Sequence, residues 1–510
     1  MASYLMGIDN GLTVSKAAIF DLQGREVAVQ GYKVDLSYPR PAWVERDSEA
    51  VWQTTAAAIR EAIAKAGIDA RDIAGVGNSA HGNGIYLVDR SGAPLGPAVT
   101  SMDNRASEII DEWYQPGGVH DKNLPIVMIN TYAAQPPALL AWFKRHQPEV
   151  WAQIGHAFTC KDYIKLRLTG TVSTDFTDVS GTSLFDSRQR RYSPELLDLY
   201  GIRDILPALP QPIASHAIAG RVTREAAAVT GLAEGTPVAG GLFDVDASAL
   251  GAGVIDEGTL CIIAGTWSIN QVVTREPLAD ERLSMCTLFA VPGFWLVGDY
   301  SAASATNLEW FVTQFCSEEK VTAAARGISV YEVCNEIVAS LPPGSTDVIF
   351  HPFLFGSNVQ ANARAGFYGL GAWHTKAHVL RALYEGVVYG HLDHVNRLRT
   401  AGAQMSLARL TGGGARSTVW AQMFADALEL PIEVPGATEI AALGAAMTAG
   451  IGVGVYAGHA DAVAQAVQVV RRHEPQAEAT PMYLARYQEY RCLLEAMREP
   501  WRRLEKLSSS

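Results

Sequence analysis

The alternation of apolar and polar positions is densest at the start of the chain. "YLMGIDNGLTVSKAAIFDLQGREVAVQGYKV" divides into three strand-length runs: one ending at Asp9, a second in "SKAAIFD", and a third, "REVAVQGYKV", entered through the turn "LQG". From residue 48 the period changes. Val51, Trp52, Ala56, Ile59 and Ile63 fall on one face of a helix, with Asp47 or Ser48 as N-cap and Glu49 in its first turn. "DIAGVGNSAHG" reads as a buried strand ending in polar residues, and "GHAFTCKDYIKLRLTG" as a strand followed by a helix that Gly170 stops.

After residue 245 the same layout begins again. "TLCIIAGTWSINQVVT" is a strand, a glycine–threonine turn and a second strand. "LARLTGGGARSTVWAQMFADALELPIEV" is a strand, three glycines, a helix and a strand, and "PMYLARYQEYRCLLEAMREPWRRLEKL" is a long closing helix. Strands and helices alternate throughout, which predicts an α/β class. The simplest division gives domains of residues 1–245 and 246–510.

Composition narrows this picture. A chain of 510 residues exceeds what one core organises, in keeping with two domains. The formal charge of -12, with no basic stretch to override it, argues against a nucleic acid or an anionic membrane as partner. Any phosphate must then be held by backbone donors and a few local cations. The six cysteines include no Cys-x-x-Cys pair, so they read as reduced core thiols. "MASYLMGIDNG" lacks a basic leader, and "AALGAAMTAGIGVGVYAG" is too rich in alanine and glycine for a membrane span. The expectation is a soluble, cytoplasmic protein.

Three turns carry candidate phosphate chemistry. In "GIDNGLTVSK", Gly11 exposes backbone N–H groups, Thr13 offers a hydroxyl, Lys16 a cation, and Asp9 a ligand for Mg²⁺ or its waters. "AGTWS" offers Gly265 and Thr266 in a similar turn. "TGGGARS" lets a planar ligand or a phosphate approach the backbone at Gly412 and Gly413 and the start of the following helix. No P-loop, dinucleotide fingerprint or protein-kinase set occurs. The remaining puzzle is "TPVAGGLFDVDASALGAG", where one acid, Asp244, follows paired glycines and either caps the helix after it or does chemistry.

Taken in order, "GIDNGLTVSKAAIFD", "PAWVERDSEAVW", "GNSAHGNGIYLVDRSGAPLGPAVTSMDNRA", "KDYIKLRLTGTVSTDFTDVSGTSLFD", "GGLFD", "AGTWS", "AGFYGLGAWHTKAHVLRALYEGV", "TGGGARSTVWAQMFADALELPI" and "ATEIAALGAAMTAG" resemble the FGGY carbohydrate kinases across nearly the whole chain. Within that family the likeness is to the xylulose kinases, the L-xylulose branch in particular. The resemblance implies two RNase H-like domains of the actin-like ATPase superfold, the N-terminal one holding the sugar and the C-terminal one ATP·Mg²⁺. Asp244 would be the catalytic carboxylate at the hinge, taking a proton from a sugar hydroxyl as its bond to the γ-phosphorus forms. Domain closure would expel water that competes for the phosphoryl group.

The same resemblance places substrate contacts at His81, Gly82 and Asn83, with Asn83 where xylulose kinases carry a histidine, and at Asp103 beside Arg105. It places Thr266 on the transferred phosphate, Gly413 and Ser417 on the nucleotide, and "EIAALGAA" beneath the purine. Leu12 and Leu139 depart from the threonine and lysine usual in the family. The implied partner is a small sugar, L-xylulose first, D-xylulose second, and a pentitol or erythritol third, with a homodimer left open as the assembly. The rival expectation is a non-catalytic ATP- or sugar-responsive protein on the same fold.

Overall fold

The computed structural model describes residues 3–508 apart from Asn358 and Ala361. In chain order its main elements begin with strands β1 (Tyr4–Asn10), β2 (Val14–Asp21) and β3 (Glu26–Lys33), helix α1 (Ser48–Ala66) and β4 (Ile73–Ala80). Helix α2 (Cys160–Thr169), β5 (Ile218–Arg221), β6 (Pro237–Ala239), β7 (Leu242–Phe243) and α3 (Asp244–Gly251) follow. Then come β8 (Gly258–Ala264), β9 (Ser268–Thr274), β10 (Trp295–Ser301), α4 (Lys376–Thr400), β11 (Met405–Thr411), α5 (Thr418–Leu428) and β12 (Ile432–Pro435). The chain finishes with α6 (Ile440–Gly452), β13 (Val469–His473) and α7 (Thr480–Ser508).

The elements fall into two units. The first comprises Met1–Asp256, Val273–Val297 and Ala437–Gln468, the second Glu257–Val272, Gly298–Gly436 and Val469–Ser510. The first long segment ends at Asp256, and beyond it the chain returns to the first unit twice, so the units are not two continuous halves.

In the first unit a seven-stranded sheet runs β5-β6-β4-β1-β2-β3, with β7 also paired to β4. β1, β2 and β3 form an antiparallel meander, and β4 lies parallel to β1. This is the RNase H-like order, and the short turns "GLT" and "LQGR" make the meander the natural first product of the sequence. α1 starts as expected at Asp47, whose side chain accepts a bond from the Ala50 N–H, and it ends at Gly67 in the left-handed region (φ 66°). Its apolar face, with Trp52, Ala56 and Ile59, joins Met6, Ile8, Ile19 and Val76 in one core. Burial of such side chains contributes roughly 1.5–3 kcal/mol each.

The return of α6 to this unit has a steric cause. A methyl group on Gly7 of β1 or on Gly77 of β4 would lie 1.8 Å from the carbonyl oxygens of Ala442 and Ala445 respectively. α6 therefore packs backbone to backbone on the sheet, and it meets α3 the same way through Gly251 and Gly444. The small residues of "EIAALGAA" are engaged in this packing against strands and helix.

The second unit repeats the strand order β10-β9-β8-β11-β12-β13. β8 and β9 are antiparallel, β8 and β11 parallel, and β11 and β12 parallel. α4 is buried along most of its length, and the Trp420 indole N–H of α5 donates to the Tyr384 carbonyl of α4. No helix among the described residues is long and apolar enough to cross a membrane.

Candidate active site

Asp244 sits where β6 ends, the chain turns through Gly240 and Gly241, pairs briefly as β7, and enters α3. The turn needs glycine: Gly241 has φ 91°, and a methyl group there would lie 2.4 Å from Asn78 Oδ1. The N-cap of α3 is Phe243, and Asp244 is its first helical residue, so the capping role open from the sequence does not apply. Half-buried, its carboxyl is pushed well above the usual carboxylate range by loss of hydration, and further by the charges of Asp9 and Asp178. The N–H groups at the start of α3 oppose that shift without cancelling it. The outcome is a carboxylate with raised proton affinity.

A buried charge network holds this loop. The Phe243 N–H donates to Thr177 Oγ1 at 2.9 Å, and Thr177 donates to Asp175 at 2.7 Å, as does Ser215. Lys161 pairs with Asp162, with Asp175 at 3.2 Å and with Asp178 at 3.6 Å. Lys165 donates to Asp162 at 2.9 Å and to the Gly240 carbonyl at 3.0 Å, gripping the turn itself. Burial lifts Asp178 to about 7 against the pull of Lys161. Asp246, two residues into α3, is also buried and held well above its ordinary range, first by desolvation and then by Asp175.

In the loop just beyond β4, Asn83 adopts φ 59°, and its Oδ1 has no hydrogen-bonding partner among the described residues. Its amide lies against the hydroxyl of Tyr132, a residue 39% exposed as a whole, whose proton is held more tightly than usual by desolvation at the hydroxyl and then by the charge of Asp244. Asn83, Tyr132 and Asp244 thus share one polar neighbourhood. Gly82 lies against the Phe243 ring, 2.2 Å from where its Cβ would be, which seats this loop beside Asp244.

Two other expected contacts are turned inward. His81 is buried; its Nε2 lies 2.6 Å from Arg46 Nη2 and its Nδ1 3.3 Å from the Gly82 carbonyl. Burial, then the Arg46 charge, holds it well below the ordinary histidine range, so it is neutral. Asp103 is enclosed: Oδ2 accepts the Val44 N–H at 2.6 Å, and the Arg105 guanidinium bonds both oxygens at 2.9 Å. Both oxygens are occupied by protein donors, so here Asp103 and Arg105 clamp a loop. Leu139 is fully buried in its helix.

In the turn after β1, the Gly11 N–H donates to the Val14 carbonyl at 2.9 Å and Thr13 is exposed. Asp9 is half-buried and accepts Ser79 Oγ at 3.0 Å; burial raises its proton affinity against the effect of that bond. Lys16 is paired with Glu439 Oε2 at 2.8 Å, so its charge is largely met within the protein.

The second unit brings its two glycine turns together. Gly412, with φ 84°, sits where a methyl group would be 2.8 Å from the Ala264 carbonyl and 3.1 Å from the Gly265 nitrogen. Gly265, Thr266, Gly412 and Gly413 form one partly to fully exposed backbone surface at the ends of parallel strands β8 and β11, the usual side for ligands on an open α/β sheet. Ser417 is buried; it caps α5 through the Trp420 N–H and donates to Asn335 Oδ1 at 2.7 Å, so its hydroxyl is taken.

Tyr132 is the contact that sequence reasoning missed. It is a lone tyrosine in "INTYAAQPP", where no period or spacing marks it, and only the fold brings it beside Asn83.

Comparison with known proteins adds to this geometry. The N-terminal domain of the FGGY family of carbohydrate kinases matches residues 4–251, and the C-terminal domain of the same family matches residues 260–453. The L-xylulose/3-keto-L-gulonate kinase of Escherichia coli (strain K12) is 39% identical over 499 residues, covering 98% of each chain. A probable L-xylulose kinase of Pasteurella multocida (strain Pm70) is 37% identical, covering 97% of this chain and 99% of its own. The crystal structure of xylulose kinase from Rhodospirillum rubrum matches with a TM-score of 0.84 at 28% identity, covering 98% of this chain and all of that one.

Proposed function

The chain belongs to the FGGY family of ATP-dependent carbohydrate kinases, and from that premise we propose that it phosphorylates a terminal hydroxyl of a ketopentose, L-xylulose before D-xylulose, in the cytoplasm. The observation that carries the reading is Asp244, a carboxylate of raised proton affinity at a helix start, whose charge reaches the Tyr132 hydroxyl that the Asn83 amide bonds. As the sugar oxygen bonds to the γ-phosphorus, Asp244 accepts its proton while the bond from phosphorus to the β,γ-bridging oxygen breaks and ADP leaves. Asn83 and Tyr132 orient the sugar so that the reacting hydroxyl, rather than water, meets Asp244.

Asp9, one oxygen of which accepts the Ser79 hydroxyl, is the carboxylate that would hold Mg²⁺ or its waters, with the phosphates supplying further oxygen ligands. When bound it supplies charge neutralisation to the phosphates.

The nucleotide turn gives one expected result. Gly412→Ala puts a methyl group against the Ala264 carbonyl at a left-handed backbone position, and the apparent ATP requirement is expected to rise about tenfold. ADP release against ATP concentration checks it; an unchanged requirement removes this turn from the ATP site.

Asn83 gives another. The asparagine amide presents a donor and an acceptor on a short arm, and Oδ1 is left unpaired for a ligand. Mismatching such a buried polar contact costs about 1–3 kcal/mol. Asn83→His is therefore expected to weaken L-xylulose turnover more than D-xylulose turnover. The measurement is the ratio of the two kcat/KM values; an unchanged ratio means that Asn83 does not read stereochemistry.

A further inference from the structure

Arg46 is 1% exposed and has no carboxylate partner among the described residues, yet all five of its N–H groups point at acceptors. Nε donates to the Tyr86 hydroxyl at 2.6 Å. Nη1 donates to the Gly11 carbonyl at 3.0 Å and the Leu12 carbonyl at 3.1 Å. Nη2 reaches His81 Nε2 at 2.6 Å and Cys160 Sγ at 2.9 Å. A buried cation held by neutral groups alone is an expensive way to fill a core, and an apolar side chain of similar volume would fill it at less cost. The geometry of the acceptors says what the guanidinium does instead.

In a trans peptide the C=O of one residue and the N–H of the next point in opposite directions. Holding the Gly11 carbonyl toward Arg46 turns the Leu12 N–H away from it, and holding the Leu12 carbonyl turns the Thr13 N–H away too. Neither N–H has an acceptor among the described residues, while the Gly11 N–H on the other flank closes the turn on Val14. The result is two successive unpaired backbone donors on the side of the turn away from Arg46, donors of the kind that bind a phosphate oxygen. The same fork takes the His81 Nε2 lone pair, which leaves the proton on Nδ1. It thereby ties the loop of Gly82 and Asn83 to the phosphate turn, reinforced by the bond from the His81 N–H to the Asn10 carbonyl at 3.0 Å.

We propose that Arg46 is a positioning residue that presents the Leu12 and Thr13 N–H groups to the phosphates of ATP and locks the Asn83 loop to that same turn. This also accounts for the turn's working with leucine at position 12: the donors come from the backbone, and the guanidinium aims them. The proposal rests on the kinase reading for the identity of the anion, but the aiming of the turn is a property of the protein alone.

The test uses the full chain carrying Arg46→Lys, which keeps the charge and loses the fork. With melting temperature and far-UV circular dichroism showing a folded protein, KM for ATP is expected to rise about tenfold or more while kcat at saturating ATP falls less than about threefold. A general loss of stability would lower the active fraction and leave KM alone. Amide exchange at Gly11 and His81, followed without any ligand, is expected to accelerate together. Tyr86→Phe, which deletes the acceptor of Nε together with the hydroxyl's bond to Cys160 at nearly constant volume, is expected to shift both readouts the same way by about two- to threefold. If ATP KM and exchange at Gly11 and His81 stay at parental values in Arg46→Lys, or in Tyr86→Phe where the lysine variant does not fold, the proposal is overturned. Faster exchange in a protein whose parent phosphorylates no sugar would overturn the proposed reaction and still support the aiming of the turn.

Discussion

Asp244→Asn is expected to bind sugar and ATP much as the parent does and to lose phosphoryl transfer by about 100-fold or more. The substitution keeps the shape of the side chain at the start of α3 and removes only its capacity to take a proton. Little of the fold depends on that capacity, because the asparagine oxygen can still accept the N–H groups at the start of α3 and the Phe243 N–H is anchored on Thr177 at 2.9 Å. Desolvation and the neighbouring Asp9 and Asp178 raise the proton affinity of the carboxylate, so the parent's kcat should fall on the acid side at a pH above the ordinary carboxylate range. Calorimetric binding and turnover on one preparation decide the matter. Turnover near the parental rate would remove Asp244 from the mechanism.

The second large effect is on stability. Lys161→Met leaves Asp175 and Asp178 without the ammonium that lies 3.2 and 3.6 Å away, and Asp162 with Lys165 alone. Removing one partner of a buried ion cluster costs about 3–5 kcal/mol, because the charges that remain are uncompensated. The sign with pH follows from the protons. Asp178 is already lifted by burial against the pull of Lys161, and without that ammonium it titrates further above its unfolded value, so it takes up a proton on folding. Its share of the stability is then present in acid and lost as pH rises through its folded value. The deficit relative to the parent should be larger at pH 8 than at pH 5, as read by urea or thermal unfolding at both. A variant that melts with the parent at pH 8 would show that the network does not hold the Asp244 loop in place.

Much of this architecture was legible beforehand. β1, β2 and β3 show in their alternation, α1 in its apolar face and cap, and the repeated layout in the strand–turn–strand of residues 259–274. Local patterns report local elements, and these elements are local. The return of α6 to the first unit was not legible. Its alanines fit any flat surface, and the matching glycines, Gly7 and Gly77, lie hundreds of residues earlier and read as ordinary strand positions.

The site divides in the same way. The glycine turns at 240–241 and 412–413 stand out because backbone approach leaves a mark in composition. The company a polar side chain keeps leaves none. That Asp103 would be enclosed by Arg105 and the Val44 N–H, that His81 would face Arg46, and that Ser417 would bond Asn335 are facts of tertiary packing. Tyr132 entered the site by the same route.

ADP release by the purified chain with Mg²⁺ and a panel of L-xylulose, D-xylulose, pentitols and erythritol tests the central claim most directly. The account predicts ADP formed one for one with a sugar phosphate, fastest with L-xylulose, and abolished with the sugar omitted. ADP release no faster with any of these sugars than without them, or than in Asp244→Asn, would contradict it.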